Sequence, residues 1–368
     1  MLIKKIGILT YHTGYNYGAS LQAYALMTTI NKIVGNCEII NFETENFLSS
    51  REMFSRNPKS LKEIIKVLTR LPYKKDLIKR QKLFDAFTEK YLIKSKLYRT
   101  EAEVIKNSEN YDTIICGSDQ IWNMDESSRY AANWIYFLNF PKKQRRISYA
   151  ASFGKWVNKA DNYKDKFIPW LKEFDKLSVR ETSGVEYLRK KGLNVSLCID
   201  PTLLLDKEEY EKICAPKQIS KKYILLFSWN CSKGVINAAK IISRKLGMPV
   251  FNIVPPPRAM FSSIERKLDV GPCEFISMIK NAEFIITNSF HGTVFSTIFH
   301  KPYISVYDDK PDVRMESLLK QLNFTNHLQN ADNIDMNCIF NTDFSDLEEK
   351  INLVREDSLN YLKESLNR

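Results

Sequence analysis

The chain has 368 residues, 44% of them apolar, which is too long for one ordinary core and comfortable for two. With only 12 Gly and 13 Pro it is not a fibrous or low-complexity chain, and no stretch reaches the roughly 18 uninterrupted apolar residues of a membrane span. Lys and Arg number 55 against 43 Asp and Glu, a balance of +12; no aromatic-interleaved basic motif or DNA-reading pattern accompanies it, so nucleic acid is not predicted as a partner.

Met1-Leu2-Ile3-Lys4-Lys5-Ile6 lacks the apolar run and cleavage site of a signal peptide, and a cytoplasmic protein is expected. Seven Cys, none spaced as Cys-x-x-Cys, predict neither disulfides nor structural zinc. Residues 6–10 form a short apolar run, as in a buried parallel strand. A loop then leads into a helix from Ala19, where Leu21, Ala25, Leu26, Thr29, Ile30 and Ile33 share one face. A second strand is expected at 37–41. The chain next turns basic: between Arg56 and Arg99 it carries 14 basic and 4 acidic residues. Leu61, Ile64, Ile65 and Leu68 fall at helical spacing there, as do Phe84, Phe87 and Tyr91. Two amphipathic helices inserted into the sheet topology account for this. Their charge reads either as a solvated helical face or as a surface for anionic lipid or a diphosphate, at the inner face of the membrane.

Strands follow at 113–116, 146–150, 177–179 and 197–199, with a helix at 182–191. Such alternation predicts a parallel, doubly wound sheet. The polar run 206–222, with Pro216, marks a domain boundary. The pattern then restarts: strand 223–227, helix 233–246, strand 249–254, helix 273–281, strand 284–287, helix from Gly292, strand 303–307. Ser345-Asp346-Leu347-Glu348 has the form of a capping box ahead of a last amphipathic helix. The division is therefore 1–215, with the basic insertion 56–99 inside it, then 216–344, then a C-terminal helix 345–368.

Ligands of parallel α/β sheets bind beyond the carboxyl ends of the strands. Thr287-Asn288-Ser289-Phe290-His291-Gly292 lies at such an end and leads into a helix, whose N-terminus favours anions. His291 is placed there for proton transfer beside a bound anion, or else is a turn histidine. Ser178-Val179-Arg180-Glu181 puts Arg180 at another strand end, as a fork for phosphate or carboxylate or as half of a surface ion pair. Gly117-Ser118-Asp119-Gln120-Ile121-Trp122-Asn123 combines hydrogen-bonding groups with an aromatic ring, as in a sugar site, although Trp122 suits a core equally. Asn16-Tyr17-Gly18 precedes the first long helix without the Gly-x-Gly-x-x-Gly of a dinucleotide site. No Gly-Lys-Ser/Thr phosphate loop and no metal-ligand spacing occurs.

Six motifs in order, Asn16-Tyr17-Gly18-Ala19-Ser20-Leu21-Gln22, Gly117 to Asn123, Ser148-Tyr149-Ala150-Ala151-Ser152-Phe153-Gly154, Ser178 to Glu181, Asp200-Pro201-Thr202 and Ser289 to Gly292, resemble the polysaccharide pyruvyltransferase family. The resemblance covers about residues 6–322. It implies an α/β, GT-B-like fold: two Rossmann-like domains facing a cleft, with the C-terminal helix crossing back to the first. It implies phosphoenolpyruvate as co-substrate, no resident cofactor or metal, and a sugar acceptor, lipid-diphosphate-linked, giving a cyclic pyruvate ketal. His291 matches the family's catalytic His and Arg180 its donor-binding Arg. Ser289 stands where better-studied members have an Arg, so donor binding is assigned to Asn288, Ser289, Gly292, Lys310 and Arg314 besides Arg180. The acceptor side is assigned to Asn16, Tyr17, Asp119, Gln120, Trp122, Asn123 and Ser152. The alternatives are a glycosyltransferase using a nucleotide-sugar donor and a non-catalytic sugar-binding protein.

Overall fold

The computed structural model describes residues 5–45, 54, 60–124, 134–141, 143–154, 166–258, 264–335 and 343–367. Its first half runs β1 (Ile6–Leu9), α1 (Tyr17–Val34), β2 (Cys37–Ile39), α2 (Leu61–Arg70), α3 (Lys74–Tyr91), α4 (Glu101–Ser108), β3 (Thr113–Cys116), β4 (Arg145–Ser148), α5 (Ile168–Leu171), β5 (Ser178–Val179), α6 (Thr182–Lys190) and β6 (Ser196–Leu197). The second half runs α7 (Lys207–Glu211), β7 (Ile224–Phe227), α8 (Lys233–Leu246), β8 (Val250–Asn252), β9 (Glu265–Arg266), α9 (Pro272–Lys280), β10 (Phe284–Thr287), α10 (Phe290–Ile298), β11 (Tyr303–Tyr307), α11 (Val313–Gln321), β12 (Leu328–Asn330) and α12 (Leu347–Leu366).

Two compact units emerge, each with its own sheet. The first comprises residues 1–48, 88–205 and 349–368. Its four strands are parallel in the order β2-β1-β3-β4. All four residues of β1, and all four of β3, are buried, as a parallel sheet covered on both faces requires. The pair β5-β6 adds to it through isolated bridges from Ile147 to Lys176 and from Ala151 to Val179. The final helix α12 packs on this unit, as the sequence anticipates for a chain that crosses back. Ser358 Oγ accepts from the Ile199 amide at 3.1 Å, and Tyr361 donates to the Ser148 carbonyl at 2.8 Å.

The second unit comprises residues 49–87 and 206–348. Its six parallel strands run β12-β11-β10-β7-β8-β9, around a core that includes Ile224, Leu226, Ile286, Ile304 and Val306. This division corrects the expected one in two places. Residues 206–215 belong to the second unit, and so does the basic segment as far as Phe87, whereas the sequence places the whole insertion in the first; residues 56–59 lie outside the described residues. Hydrogen bonding explains the shift. Arg70 Nε donates to the Pro256 carbonyl at 3.0 Å, Arg80 donates to the Ile253 carbonyl at 3.2 Å, and Lys79 pairs with Asp269 at 2.7 Å.

Candidate active site

In the second unit, strands 7, 8 and 9 advance one way from β7, while 10, 11 and 12 advance the other way from β10. The sheet therefore switches direction between β7 and β10, and the crevice beyond the carboxyl ends of those strands is where such sheets take ligands. The loops there are Ser228-Trp229-Asn230 after β7 and Asn288-Ser289 after β10. Helix α10 starts at Phe290, two residues earlier than expected, because Ser289 is its N-cap: Ser289 Oγ accepts from the Gly292 amide at 3.4 Å. His291 is thereby carried on the first helical turn at the switch point, buried at 6% exposure, with the Phe290 ring edge-on at 5.1 Å.

The helix start is seated very tightly. A Cβ on Gly292 would overlap Thr287 Oγ1 and stand 2.9 Å from Thr287 Cβ and 3.0 Å from the Phe227 ring. Thr287 in turn donates to the Phe227 carbonyl at 2.7 Å and accepts from the Ser289 amide at 3.0 Å. Glycine at 292 is what allows backbone and strand end to meet, which fixes the position of His291 next to it.

Several expected donor-side residues have structural duties. Asn288 Oδ1 accepts from the Trp229 amide at 2.7 Å, and its amide donates to Asn230 Oδ1. Asn230 and Ser232 both donate to Asp308, at 2.6 and 2.5 Å. Asn288 thus helps tie the loops after β7, β10 and β11 together. The Gly292 amide, expected to face the anion, is directed to the Ser289 cap. Arg314 is half-buried and forms a bidentate pair with Asp312 at 2.9 and 2.7 Å, with its guanidinium 5.8 Å from the centre of the Phe290 ring. Lys310 is exposed. The sequence reading misses Trp229 and Asn230, because nothing in a strand-end Ser-Trp-Asn reveals that its neighbour in space is β10. Arg258 lies over the Trp229 ring at 5.4 Å.

In the first unit, five of the six motifs meet in one buried polar network, the first of them through Gln22, whose Oε1 accepts from the Ser118 amide at 3.3 Å. Arg180 is 4% exposed and faces three carboxylates: it binds Asp200 directly, Glu181 at 3.3 Å and Asp119 at 3.5 Å. Ser118 donates to Asp200 at 3.3 Å, and Ser152 donates to Glu181. Asp200 also caps the turn that begins at Pro201, accepting from the Thr202 amide at 3.0 Å. The expected anion clamp is therefore corrected. The Arg180 charge is met by surrounding carboxylates, and the side chain binds the strand-end loops to one another. Gly117, at φ 121°, packs against the Tyr149 carbonyl with no room for a Cβ.

The acceptor-side expectations divide in the same way. Trp122 is 0% exposed, stacked on Phe137 at 5.5 Å and flanked by Phe153 and Phe174, with Nε1 donating to the Tyr136 carbonyl at 3.0 Å. It is core, and the aromatic-platform expectation falls. Tyr17 is fully buried, and Asn16 is the N-cap of α1, accepting from the Gly18 amide at 3.0 Å. Asp119 and Ser152 belong to the Arg180 network. Asn123 is buried and donates to Gln120 at 2.8 Å, while Gln120 itself is half-buried, as is Asn16. His12, at the end of β1, is buried with Nδ1 3.1 Å from the Thr10 carbonyl and Nε2 3.0 Å from Asn41 Oδ1. Burial holds it below its ordinary titration range.

Comparison with known proteins bears on the fold and the family. The solved structures similar to the chain include a protein from Listeria monocytogenes assigned as a UDP-N-acetylglucosamine 2-epimerase, with 12% identity and a TM-score of 0.53 over 99% of this chain and 92% of that one. The UDP-GlcNAc 2-epimerase of Neisseria meningitidis, bound to UDP-GlcNAc, matches at 11% identity with a TM-score of 0.50 over 99% of both chains. At such identities the likeness concerns the fold, which is GT-B. No curated protein matches the chain. The family model for polysaccharide pyruvyl transferase matches residues 16–310, from the cap of α1 to the loop beyond β11, and the chain belongs to that family.

Proposed function

We propose that the chain transfers a pyruvyl group from phosphoenolpyruvate to a sugar of a cell-surface polysaccharide or its lipid-diphosphate-linked precursor, forming a pyruvate ketal. Protonation of the donor's methylene carbon makes an oxocarbenium centre at the carbon bearing phosphate. One sugar hydroxyl adds there, phosphate leaves, and a second hydroxyl closes the ketal. Of the two hydroxyl protons released, one restores the acid and the other leaves with phosphate, so the reaction uses no external oxidant or reductant. His291 is assigned the proton donor's role. The anion is assigned to the first turn of α10, where the Gly292 amide is already engaged by the Ser289 cap, with Arg314 as the neighbouring cation and the exposed Lys310 as a second candidate. Gln120 remains the acceptor-side candidate.

The observation that carries this reading is the family match across residues 16–310, coinciding with a histidine on the first helical turn at the switch point of the second sheet. The test is phosphate release from phosphoenolpyruvate by the full chain against a panel of lipid-linked and nucleotide-linked sugars. Acceptor-dependent release supports the assignment. Nucleotide release from a sugar nucleotide, without phosphoenolpyruvate consumption, assigns glycosyl transfer instead. Sugar binding without any turnover assigns a binding protein.

A further inference from the structure

Helix α2 is inverted relative to an ordinary surface helix. Leu61, Ile64, Ile65 and Leu68 recur at i, i+3, i+4 and i+7, the pattern of a face that normally meets the core. Here that face points away from the protein: Leu61 is 72% exposed, Leu68 58%, and Leu71, just beyond the helix, 49%. The side that holds the helix to its unit is polar, since Arg70 is the buried residue and bonds the Pro256 carbonyl. Ser60 caps the helix, accepting from the Glu63 amide at 3.3 Å, so its start is defined.

Charge singles out what covers this face. Between Ser60 and Lys82 the chain has eight basic and two acidic side chains. Lys62 on the helix, and Lys74 and Lys75 just beyond it, are exposed. A second copy docking through this surface would bring like charges together, on a chain that is already net basic. An apolar stripe rimmed by lysines instead matches an anionic bilayer, with the stripe entering the headgroup boundary and the ammonium groups reaching the lipid phosphates. Among the described residues no helix is long and apolar enough to cross a membrane, so the contact is an in-plane one. We infer that α2, with the turn from Leu71 to Lys75, is a peripheral docking surface for anionic lipid.

The inference stands independently of the transfer chemistry, and its test is separate from it. The full chain is sedimented with phosphatidylcholine vesicles with and without one-third phosphatidylglycerol. Binding to the anionic vesicles is expected to exceed binding to the neutral ones by tenfold or more, and to fall as salt rises from about 0.1 to about 1 M, where the screening length shrinks from about 10 to about 3 Å. Leu61→Ser with Leu68→Ser is expected to weaken binding by at least about tenfold, since each leucine fully inserted is worth about that much or more. Lys62→Gln with Lys74→Gln, which leaves every apolar contact in place, is expected to weaken it about 10–30-fold, at roughly fivefold per basic residue. Both variants should melt like the parent, which shows that any lost vesicle binding is not lost folding. Three results overturn the inference: no vesicle binding by the parent, binding indifferent to anionic lipid and to both variants, or a parental dimer in sedimentation equilibrium that the leucine variant dissociates.

Discussion

The closest packing at the candidate site is the approach of α10 to the end of β10, and Gly292→Ala probes it directly. The added methyl overlaps Thr287 Oγ1 and lies 2.9 Å from Thr287 Cβ, where ordinary contact begins at 3.4 Å. Strand and helix must separate by about half an ångström or more. Overpacking of this kind costs about 1–3 kcal/mol. The Thr287 hydroxyl holds two bonds, to the Phe227 carbonyl and from the Ser289 amide, and losing both adds about 2 kcal/mol. Replacing a helical Gly by Ala returns about 1 kcal/mol. The expected loss of stability is thus about 2–4 kcal/mol if the bonds break, and about 0–2 kcal/mol if the helix shifts as a body and keeps them. In the second case His291 moves with the helix, and a displacement approaching 1 Å can cost about 10²-fold in turnover. Urea unfolding and phosphate release on the same preparations report the two terms. Thr287→Gly removes the two nearest atoms the methyl meets and leaves only the Phe227 ring at 3.0 Å, so the double variant should recover part of the loss, with a coupling of about 1–3 kcal/mol. Zero coupling between positions 287 and 292 would refute the reasoning, whatever each single variant does.

Three further outcomes are expected. His291→Asn should fold normally and lose about 10²–10⁴ in turnover, the usual contribution of a general acid, while His12→Asn should cost less turnover; equal losses in phosphate release at both positions would remove the catalytic assignment. Arg180→Ala should destabilise by about 3–5 kcal/mol, because three buried carboxylates lose their shared cation; a parental urea midpoint would show that the network carries no stability. Stability should also fall as pH drops below about 6.5, because burial holds His12 and His327 below their ordinary range, so the unfolded chain takes up more protons than the folded one. The slope is at most about 1.4 kcal/mol per pH unit for each histidine. His327→Asn should flatten it, and an unchanged slope in urea titrations at several pH values would rule out that histidine as a contributor.

The strands 113–116, 284–287 and 303–307 and the helix 233–246 stand in the structure with the limits the sequence predicts. Each is an apolar run or an amphipathic period that is buried in one way only, so local pattern suffices. Two short strands of the second sheet, Glu265–Arg266 and Leu328–Asn330, escape that reading because two or three mixed residues carry no period. The six motifs were equally legible as a family signature. Their division of labour was not. Arg180, Asn288 and Trp122 are residue types that bind ligands on open surfaces, and only folding decides whether their partners are a substrate or other parts of the chain.

What the sequence by itself determined is therefore the alternation of strands and helices, the two-sheet plan and the place of His291 just beyond β10, all consequences of short-range periodicity and turn chemistry. Tertiary structure alone decided three things. It paired β7 with β10 and so made a switch point of two distant loops. It gathered three carboxylates around Arg180. It also anchored the basic helix α2 by its polar side, leaving its leucines exposed. Each depends on contacts between residues far apart in the chain, and burial, which sets the meaning of a polar or aromatic side chain, is a property of those contacts rather than of the residue.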